Sequence, residues 1–238
     1  MQIGGLHKVS LIEYPGKISA IVFTQGCNFR CPYCYNPELV DPDLYGECLS
    51  EEEVFSFLER RKGKLDAVTI TGGEPTIHHD LIGFIKRVKK MGYLIKLDTN
   101  GSDPDVLRQL FSGCLLDYIA MDIKGPLHKY KTVTQSKIDE DKIRQSIGII
   151  MKSAVPYEFR TTIPKRLLHE DDLVEMGKLL RNAGRYILQN FVAITTLDKQ
   201  FLKYEAYSQE EMEYFRDKLK EDVPTVRLRQ TIQQDLIA

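Results

Sequence analysis

The sequence of 238 residues contains no tryptophan, no long apolar run and no excess of charge of one sign. No stretch approaches the roughly 18 consecutive apolar residues of a membrane-spanning helix, and the N-terminus lacks the charged and apolar regions of an export signal. Because 33 Lys and Arg residues balance 34 Asp and Glu residues, the composition gives no argument for a broad nucleic-acid-binding surface. We therefore expect a cytoplasmic protein that binds neither a membrane nor a nucleic acid.

Cysteine is also scarce, and the five residues form an odd number. An odd count without an export signal argues against a disulfide framework and favours reduced thiols. Cys27, Cys31 and Cys34 fall close together, whereas Cys48 and Cys114 are isolated and are interpreted as incidental thiols. The clustered set indicates a metal site.

Apolar, β-branched runs alternate with amphipathic charged stretches along most of the chain, an order typical of strand–helix units around a parallel sheet. Ser50 and Glu53 have the spacing of a capping box at the start of the first predicted helix. Six units are too few for a closed eight-unit barrel. We therefore predict an α/β fold, a partial (β/α)6 TIM-like barrel with parallel strands that is open on one side, in preference to a doubly wound sheet. The predicted strands are residues 18–24, 67–71, 93–99, 117–123, 157–163 and 186–192.

The length fits one domain over residues 1–238 better than two small domains. No linker, internal repeat or low-complexity tract divides the chain. We expect the core of the domain at about residues 18–192, and a C-terminal appendage with a helix and a possible strand, TVRLR, at about residues 193–238.

The three clustered cysteines directly follow the first predicted strand, at the edge of the barrel where such folds place their chemistry. Three thiolates can hold a 4Fe–4S cluster and leave its fourth iron open to an exogenous ligand. The alternative is a zinc site in which Cys48 or His7 completes the set. The spacing favours the cluster, because zinc sites usually contain two C-x2-C pairs and this sequence contains one.

Polar motifs also follow the next three predicted strands, TGGEP at 71–75, LDTNG at 97–101 and MDIK at 121–124. Glycine lets a backbone approach a ligand closely, so the first motif suits a ligand-binding loop, although a simple turn is the alternative. The carboxylates and the lysine of the other two motifs could hold a charged ligand, and the alternative is an Asx turn with a solvated lysine. Their shared position at strand ends favours the functional interpretation.

The segment CNFRCPYC, with aromatic Tyr33 before its last cysteine, resembles the signature of the radical S-adenosylmethionine superfamily. TGGEP resembles that family's glycine-rich segment, and LDTNG with MDIK is typical of its glycyl-radical-enzyme activating branch. Together with the opening GGLHKVSLIEYPGKISAIVFTQGCNFRCPYCYNPEL, these motifs are most similar to the activating proteins of anaerobic ribonucleoside-triphosphate reductase. The resemblance covers roughly residues 3–165.

The resemblance implies a radical enzyme with two cofactors. Cys27, Cys31 and Cys34 would bind a 4Fe–4S cluster, and S-adenosyl-L-methionine (SAM) would chelate its open iron. Reductive cleavage of SAM to a 5′-deoxyadenosyl radical would generate a glycyl radical on a partner enzyme, an anaerobic ribonucleotide reductase. A flavodoxin- or ferredoxin-type protein would donate the electron. No residue of this chain is assigned as catalytic.

The resemblance also implies which residues contact the cofactor. The strand-end groups would surround the SAM carboxylate together with a monovalent cation or the partner's peptide. For the arginine on the fifth predicted strand, two interpretations stay open, contact with the carboxylate or ribose of SAM and pairing with a structural carboxylate. The implied residues are Tyr33, Gly72, Gly73, Glu74, Asp98, Thr99, Asp122, Lys124 and Arg160.

Two positions depart from the branch. Tyr35 stands where many members carry a histidine, and the sixth predicted strand reads LQNF where some carry a histidine, so Gln189, Asn190 and Phe191 are only candidates for adenine or ribose contacts. Two other functions are considered, a radical SAM enzyme acting on a small molecule or nucleic acid, and a non-catalytic zinc-binding protein. The lack of a second cluster motif or an extra closing domain favours a partner's loop as substrate.

Overall fold

The computed structural model describes residues 1–229, and one eight-stranded sheet forms its centre. Neighbouring strands in the sheet follow their order in the chain. The first strand is antiparallel to the second, and every later neighbouring pair is parallel. The strands are β1 (Ile3–Ser10), β2 (Ser19–Thr24), β3 (Ala67–Gly72), β4 (Leu94–Thr99), β5 (Tyr118–Asp122), β6 (Tyr157–Ile163), β7 (Tyr186–Asn190) and β8 (Val226–Leu228).

β1 and β8 lie at the two edges of the sheet, so the barrel does not close. This order confirms the predicted partial TIM-like barrel with parallel strands and an open side, and the six predicted strands correspond to β2–β7. The sequence does not predict β1, because IGGLHKVS lacks apolar alternation and its pairing with β2 contains register shifts. β8 lies within the possible strand TVRLR and joins the expected appendage to the sheet.

Helices alternate with the parallel strands, as the sequence predicts. The predicted capping box is confirmed, because the Ser50 hydroxyl accepts the backbone N–H of Glu53 and the Glu53 carboxylate accepts that of Ser50. Within residues 1–229, no helix is long and apolar enough to cross a membrane. The helices are α1 (Glu51–Arg60), α2 (Leu81–Lys90), α3 (Pro104–Ser112), α4 (Tyr130–Thr134), α5 (Glu140–Lys152), α6 (Glu170–Leu179) and α7 (Gln209–Leu219).

The two faces of the sheet differ in polarity, as β4 shows. Its Ile95 and Leu97 are fully buried in the apolar core that the strands share with the helices. Burying an aliphatic side chain of this size contributes about 1.5–3 kcal/mol. Lys96 and Asp98 alternate with them and therefore point to the opposite, concave face. The apolar layer fixes the sheet and leaves the concave face available for polar groups.

Candidate active site

A cavity of about 630 Å³ lies on the concave side of the sheet and reaches the carboxyl ends of its strands. Strand ends of a parallel sheet meet at one edge, which brings together motifs that are far apart in the sequence. Every residue that the resemblance implies for the cluster or for SAM lines this cavity, namely Cys27, Cys31, Cys34, Tyr33, Gly72, Gly73, Glu74, Asp98, Thr99, Asp122, Lys124 and Arg160.

The three cysteines lie in the loop that follows β2. Cys31 is buried, and Cys27 and Cys34 are half-buried. Burial raises the pKa of the Cys27 thiol to about 12 and that of Cys31 to about 11. Thiols in this environment become thiolates only when a positive partner compensates for the lost hydration, which bound iron does.

The cysteine loop is held by neighbouring segments on both sides. The backbone N–H of Arg30 donates to the Thr134 carbonyl of α4 at 2.8 Å, and that of Leu197 donates to the Cys34 carbonyl at 3.1 Å. The Arg30 guanidinium donates to the Cys27 carbonyl at 2.6 Å. Arg30 therefore stabilises the fold of the loop around the cysteines.

Tyr35 connects the cysteine loop to the segment after β7. Its hydroxyl accepts the backbone N–H of Val192 at 2.7 Å, and its ring stacks on Phe191 with 5.9 Å between centroids. Phe191 is buried in this contact, and the Asn190 amide donates to a backbone carbonyl at 2.6 Å. Of the three candidates on the sixth predicted strand, only Gln189 lines the cavity.

Gly72, the last residue of β3, and Gly73 let the backbone lie close to the end of β2 and to the cysteine loop. Gly72 has a φ of +110°, and a Cβ at that position would lie 2.5 Å from the Thr24 backbone nitrogen. A Cβ at Gly73 would lie 2.0 Å from the Gly26 carbonyl oxygen. The resemblance implies a ligand beside these glycines, and the structure adds a packing requirement between the TGGEP loop and the cysteine loop.

Glu74 joins the end of β3 to the end of β4. Its carboxylate accepts the Thr76 N–H at 3.0 Å, the Thr99 hydroxyl at 2.7 Å and the Asn100 N–H at 2.6 Å. Its side chain is almost fully buried, and burial raises its pKa although these hydrogen bonds oppose the shift. The Glu74 carboxylate and the Thr99 hydroxyl therefore bind each other, which makes them positioning groups in the cavity wall.

Asp98 and Asp122 share Arg160. Arg160 Nε lies 2.9 Å from Asp122 Oδ1, and its Nη1 lies 3.1 Å from Asp98 Oδ2. Lys124 Nζ lies 3.2 Å from Asp122 Oδ2, and Lys96 Nζ lies 2.5 Å from Asp98 Oδ1. Burial alone would raise the pKa of both carboxyls, but Arg160 and the neighbouring lysines hold both pKa values below their usual range.

The same contacts keep the cations charged. Burial would lower the pKa of Lys124 and of Arg160, but Asp122 raises both, and Asp98 adds to the effect on Arg160. Of the two interpretations of Arg160, pairing with a structural carboxylate is confirmed by its contact with Asp122, and contact with SAM stays a prediction for a residue that lines the cavity. Its third nitrogen, Nη2, makes no hydrogen bond within residues 1–229, so it can donate to an anionic ligand.

Sequence reasoning missed Lys96. A lysine inside the apolar run YLIKLDT was the available signal, because it lies two residues before Asp98 and therefore on the same strand face. It also missed a link in which the Asn100 amide donates to Asn28 of the cysteine loop at 2.9 Å, and Asn28 donates to Ser102 at 2.8 Å. That link carried no sequence signal, because its partners are brought together only by the fold.

The donor set fits an iron–sulfur cluster and SAM better than a single zinc ion. Among residues 1–229, no three His, Cys, Asp or Glu side chains converge on a site for one metal ion, whereas the cysteines of a cluster each bind a separate iron. Cys48 is exposed and donates to the Gln25 side chain at 3.0 Å, although His7 does line the cavity. The buried Tyr33 hydroxyl has no partner in this part of the chain, and a polar ligand group would satisfy it.

Residues 21–185 match the sequence model of the "Radical SAM superfamily". A Methanocaldococcus jannaschii protein described as "Putative glycyl-radical enzyme activating enzyme" is 34% identical over 206 residues, 84% of each chain. A pyruvate formate-lyase-activating enzyme of Listeria monocytogenes is 34% identical over 149 residues, 56% of this chain and 59% of that protein.

Solved structures share the fold at low sequence identity. Streptococcus suis SuiB bound to S-adenosylmethionine aligns with a TM-score of 0.69 at 12% identity, covering 91% of this chain, which spans only 51% of SuiB. A domain of a pyruvate-formate lyase-activating enzyme from Bacteroides vulgatus aligns with a TM-score of 0.55 at 18% identity, covering 69% of this chain and 99% of that domain.

Proposed function

Because this chain belongs to the radical SAM superfamily and, within it, to the glycyl-radical enzyme activating enzymes, we propose that it generates a glycyl radical on an anaerobic ribonucleoside-triphosphate reductase. The family uses a 4Fe–4S cluster and SAM. The choice of partner is supported by the opening segment GGLHKVSLIEYPGK, which resembles the activating proteins of that reductase.

One observation carries the proposal. Three thiols and a set of paired charges, contributed by the ends of successive strands, line a single cavity. Cys27, Cys31 and Cys34 would hold the cluster, and Arg160 Nη2 with the Lys124 ammonium would receive the SAM carboxylate. When bound, the cluster and SAM supply the electron transfer and the radical that abstracts a hydrogen atom from the partner's glycine.

The chain itself positions the two cofactors. The backbone contacts of Arg30 and Leu197 fix the cysteine loop, and Glu74 fixes the TGGEP loop against the end of β4. Held loops keep the reacting groups at fixed distances, which lowers the entropy lost at the reactive step. Buried apolar walls beside the cysteines, such as Phe29, limit the access of water to a reactive species.

The rim of the cavity suits a protein substrate. Leu11 and Ile12 line the cavity, yet their side chains are 70% and 48% exposed. Neighbouring exposed aliphatic side chains at a cavity edge are typical of a surface that a partner covers. A glycine-bearing loop of the reductase would bury them as it enters.

The experiment is anaerobic reconstitution of the cluster, followed by incubation with SAM, dithionite and a candidate partner, and electron paramagnetic resonance of the partner. We expect a glycyl radical on the reductase and none on a reductase whose radical-bearing glycine is replaced by alanine. Replacing dithionite with a reduced flavodoxin or ferredoxin tests the proposed donor.

Other outcomes would change the assignment. A radical on pyruvate formate-lyase alone would assign that enzyme as the partner, in line with the relatives of that name. SAM consumption that depends on a small molecule or a nucleic acid, with no radical on either protein, would refute the proposal.

A further inference from the structure

The carboxylates of Asp98 and Asp122 are surrounded by the chain's own cations. Each of the four carboxylate oxygens lies within 3.2 Å of a side-chain nitrogen of Lys96, Arg160 or Lys124. With Glu13, 3.9 Å from the Lys96 ammonium, three cations face three carboxylates, so the Nη2 of Arg160, which is free within residues 1–229, and no net positive charge, is what remains to bind an anionic ligand. The carboxylate of SAM is such a ligand.

Lys96 is the unusual member of this set. It is only 1% exposed, and a buried lysine is unfavourable unless a carboxylate compensates for its lost hydration. Asp98 lies on the same face of β4 and supplies that carboxylate at 2.5 Å, while Glu13, in the loop between β1 and β2, lies 3.9 Å from the ammonium. The ammonium group of Lys96 is therefore held in contact with the Asp98 carboxylate.

The residues present do not fit the monovalent cation that the resemblance implies. An alkali ion binds to carboxylate oxygens whose negative charge is available. Here Asp98 already faces Lys96 and Arg160, and Asp122 already faces Arg160 and Lys124. An added ion would lie at short range from several protein cations, which repel it.

We propose that Lys96 is a positioning residue that replaces this ion, so that the cavity binds SAM independently of K⁺ and Na⁺. Lys96 compensates for the charge of Asp98, Asp98 orients Arg160, and Arg160 presents Nη2 to the SAM carboxylate. The inference rests on the proposed function only in that SAM is the ligand, and it does not depend on the identity of the partner enzyme.

The test measures the dissociation constant of SAM on the anaerobically reconstituted enzyme without a partner. Equilibrium dialysis is carried out in KCl, in NaCl and in tetramethylammonium chloride at equal ionic strength. The wild-type constants are expected to agree within about twofold, a difference of less than about 0.5 kcal/mol. A wild-type enzyme that binds SAM about tenfold more tightly in KCl or NaCl would overturn the proposal.

The variant Lys96→Met removes the charge and keeps an unbranched apolar side chain. In tetramethylammonium chloride, we expect it to bind SAM about tenfold more weakly than the wild type, as for loss of a charged hydrogen-bonding group. K⁺ or Na⁺ should restore part of that loss, because Asp98 would then lack one of its cations. Equal weakening in all three salts would indicate a purely structural role and would contradict the proposal.

Two further variants control the comparison. Lys96→Arg keeps the positive charge and should remain insensitive to the choice of salt. Lys89→Met removes a partly buried ammonium on α2, 2.8 Å from Asp117, and should leave SAM binding unchanged in every salt. If Lys96→Met fails to fold, the wild-type measurement still tests the proposal, because tighter binding of SAM in KCl or NaCl would overturn it.

This test separates the two proposals. Salt-independent SAM binding without any radical on a partner would refute the proposed function and support the role of Lys96. A radical that forms on the partner only in K⁺ or Na⁺, with SAM binding that also requires the ion, would support the proposed function and refute the role of Lys96.

Discussion

Two carboxylates lie at the ends of neighbouring strands, and both are buried, but different groups compensate for their charge. Glu74, after β3, accepts hydrogen bonds from neutral hydroxyl and amide donors, and burial raises its pKa. Asp98, at the end of β4, is paired with Lys96 and Arg160, which lower its pKa. The ends of these two neighbouring strands therefore contain carboxylates with opposite pKa shifts.

This difference separates a structural contact from a ligand site. Neutral donors from the chain satisfy Glu74 and fix two loops in the cavity wall. Around Asp98 and Asp122, the guanidinium and ammonium groups have more donors than the carboxylates use, so charged N–H groups remain for a ligand. The role of a buried carboxylate at a strand end is therefore inferred from the groups that bind it, because its position alone does not determine that role.

The largest expected effect, on the cleavage of SAM, comes from removing the cluster, whose cysteines line the same cavity as Glu74 and Asp98. Cys31→Ala should reduce reductive cleavage of SAM below detection, because two thiolates do not hold the cluster with one open iron. Cys114→Ala, at an exposed thiol outside the cavity, should retain cleavage. The readout is 5′-deoxyadenosine formed under dithionite. Normal cleavage by Cys31→Ala would contradict the assignment of the cysteine loop.

The next effect tests how tightly the β3 end is packed. Gly73→Ala places a methyl group 2.0 Å from the Gly26 carbonyl oxygen, and overpacking against a backbone is expected to destabilise the fold by about 3 kcal/mol. Gly83→Ala in the exposed face of α2 meets open space and should stabilise it by about 0.5–1 kcal/mol. Thermal unfolding measures both. Similar midpoints for the two variants would show that the β3 loop is not close-packed.

Glu74→Gln tests the hydrogen bonds at the same end of the sheet. An amide cannot accept every donor that the carboxylate accepts, so we expect a loss of about 2 kcal/mol. That loss corresponds to a thermal midpoint lower by about 4–8 °C for a domain of this size. Glu53→Gln, in the exposed capping box of α1, should leave the midpoint nearly unchanged because glutamine also forms that motif. Equal shifts for both variants would contradict a structural role specific to Glu74.

A smaller effect uses the opposite pKa shifts directly. The folded pKa of Glu74 is raised, so between pH 8 and pH 5 the native state binds more protons than the unfolded state, and this carboxyl stabilises the fold increasingly as the pH falls. The penalty of Glu74→Gln should therefore grow over this range. The folded pKa of Asp98 is lowered, so Asp98 stays ionised in both states and the penalty of Asp98→Asn should stay constant. Thermal midpoints measured at several pH values test this prediction. A constant penalty for Glu74→Gln, together with a penalty for Asp98→Asn that changes with pH, would contradict the assignment of the two environments.

Much of the fold was predictable because it depends on local patterns. The β-branched runs of β2–β7 and the capping box at Ser50 carry their own signals, and parallel order brings the motifs after each strand to one edge. This explains why every implied cofactor residue lines one cavity. β1 escaped prediction because its two glycines and bulged pairing hide the alternation that defines a strand.

The partners of the site residues were not predictable, because the fold alone brings them together. Glu74 binds Thr99, 25 residues away, and Tyr35 binds Val192, 157 residues away. Those contacts support a positioning role for Glu74 and show that Tyr35 connects the cysteine loop to the segment after β7. Spacing along the chain contains no information about either contact.

The most direct test compares the affinity for SAM of Arg160→Lys and Glu74→Gln in the reconstituted, folded enzyme. Lysine keeps one charge but cannot bridge Asp98 and Asp122 while presenting a further N–H, so Arg160→Lys is expected to weaken SAM binding by about tenfold or more. Glu74→Gln should change the dissociation constant by less than about threefold, under about 0.7 kcal/mol, despite its lower thermal midpoint. Equal losses of affinity, or unchanged binding by Arg160→Lys, would contradict the division into a charged ligand site and a neutral structural contact.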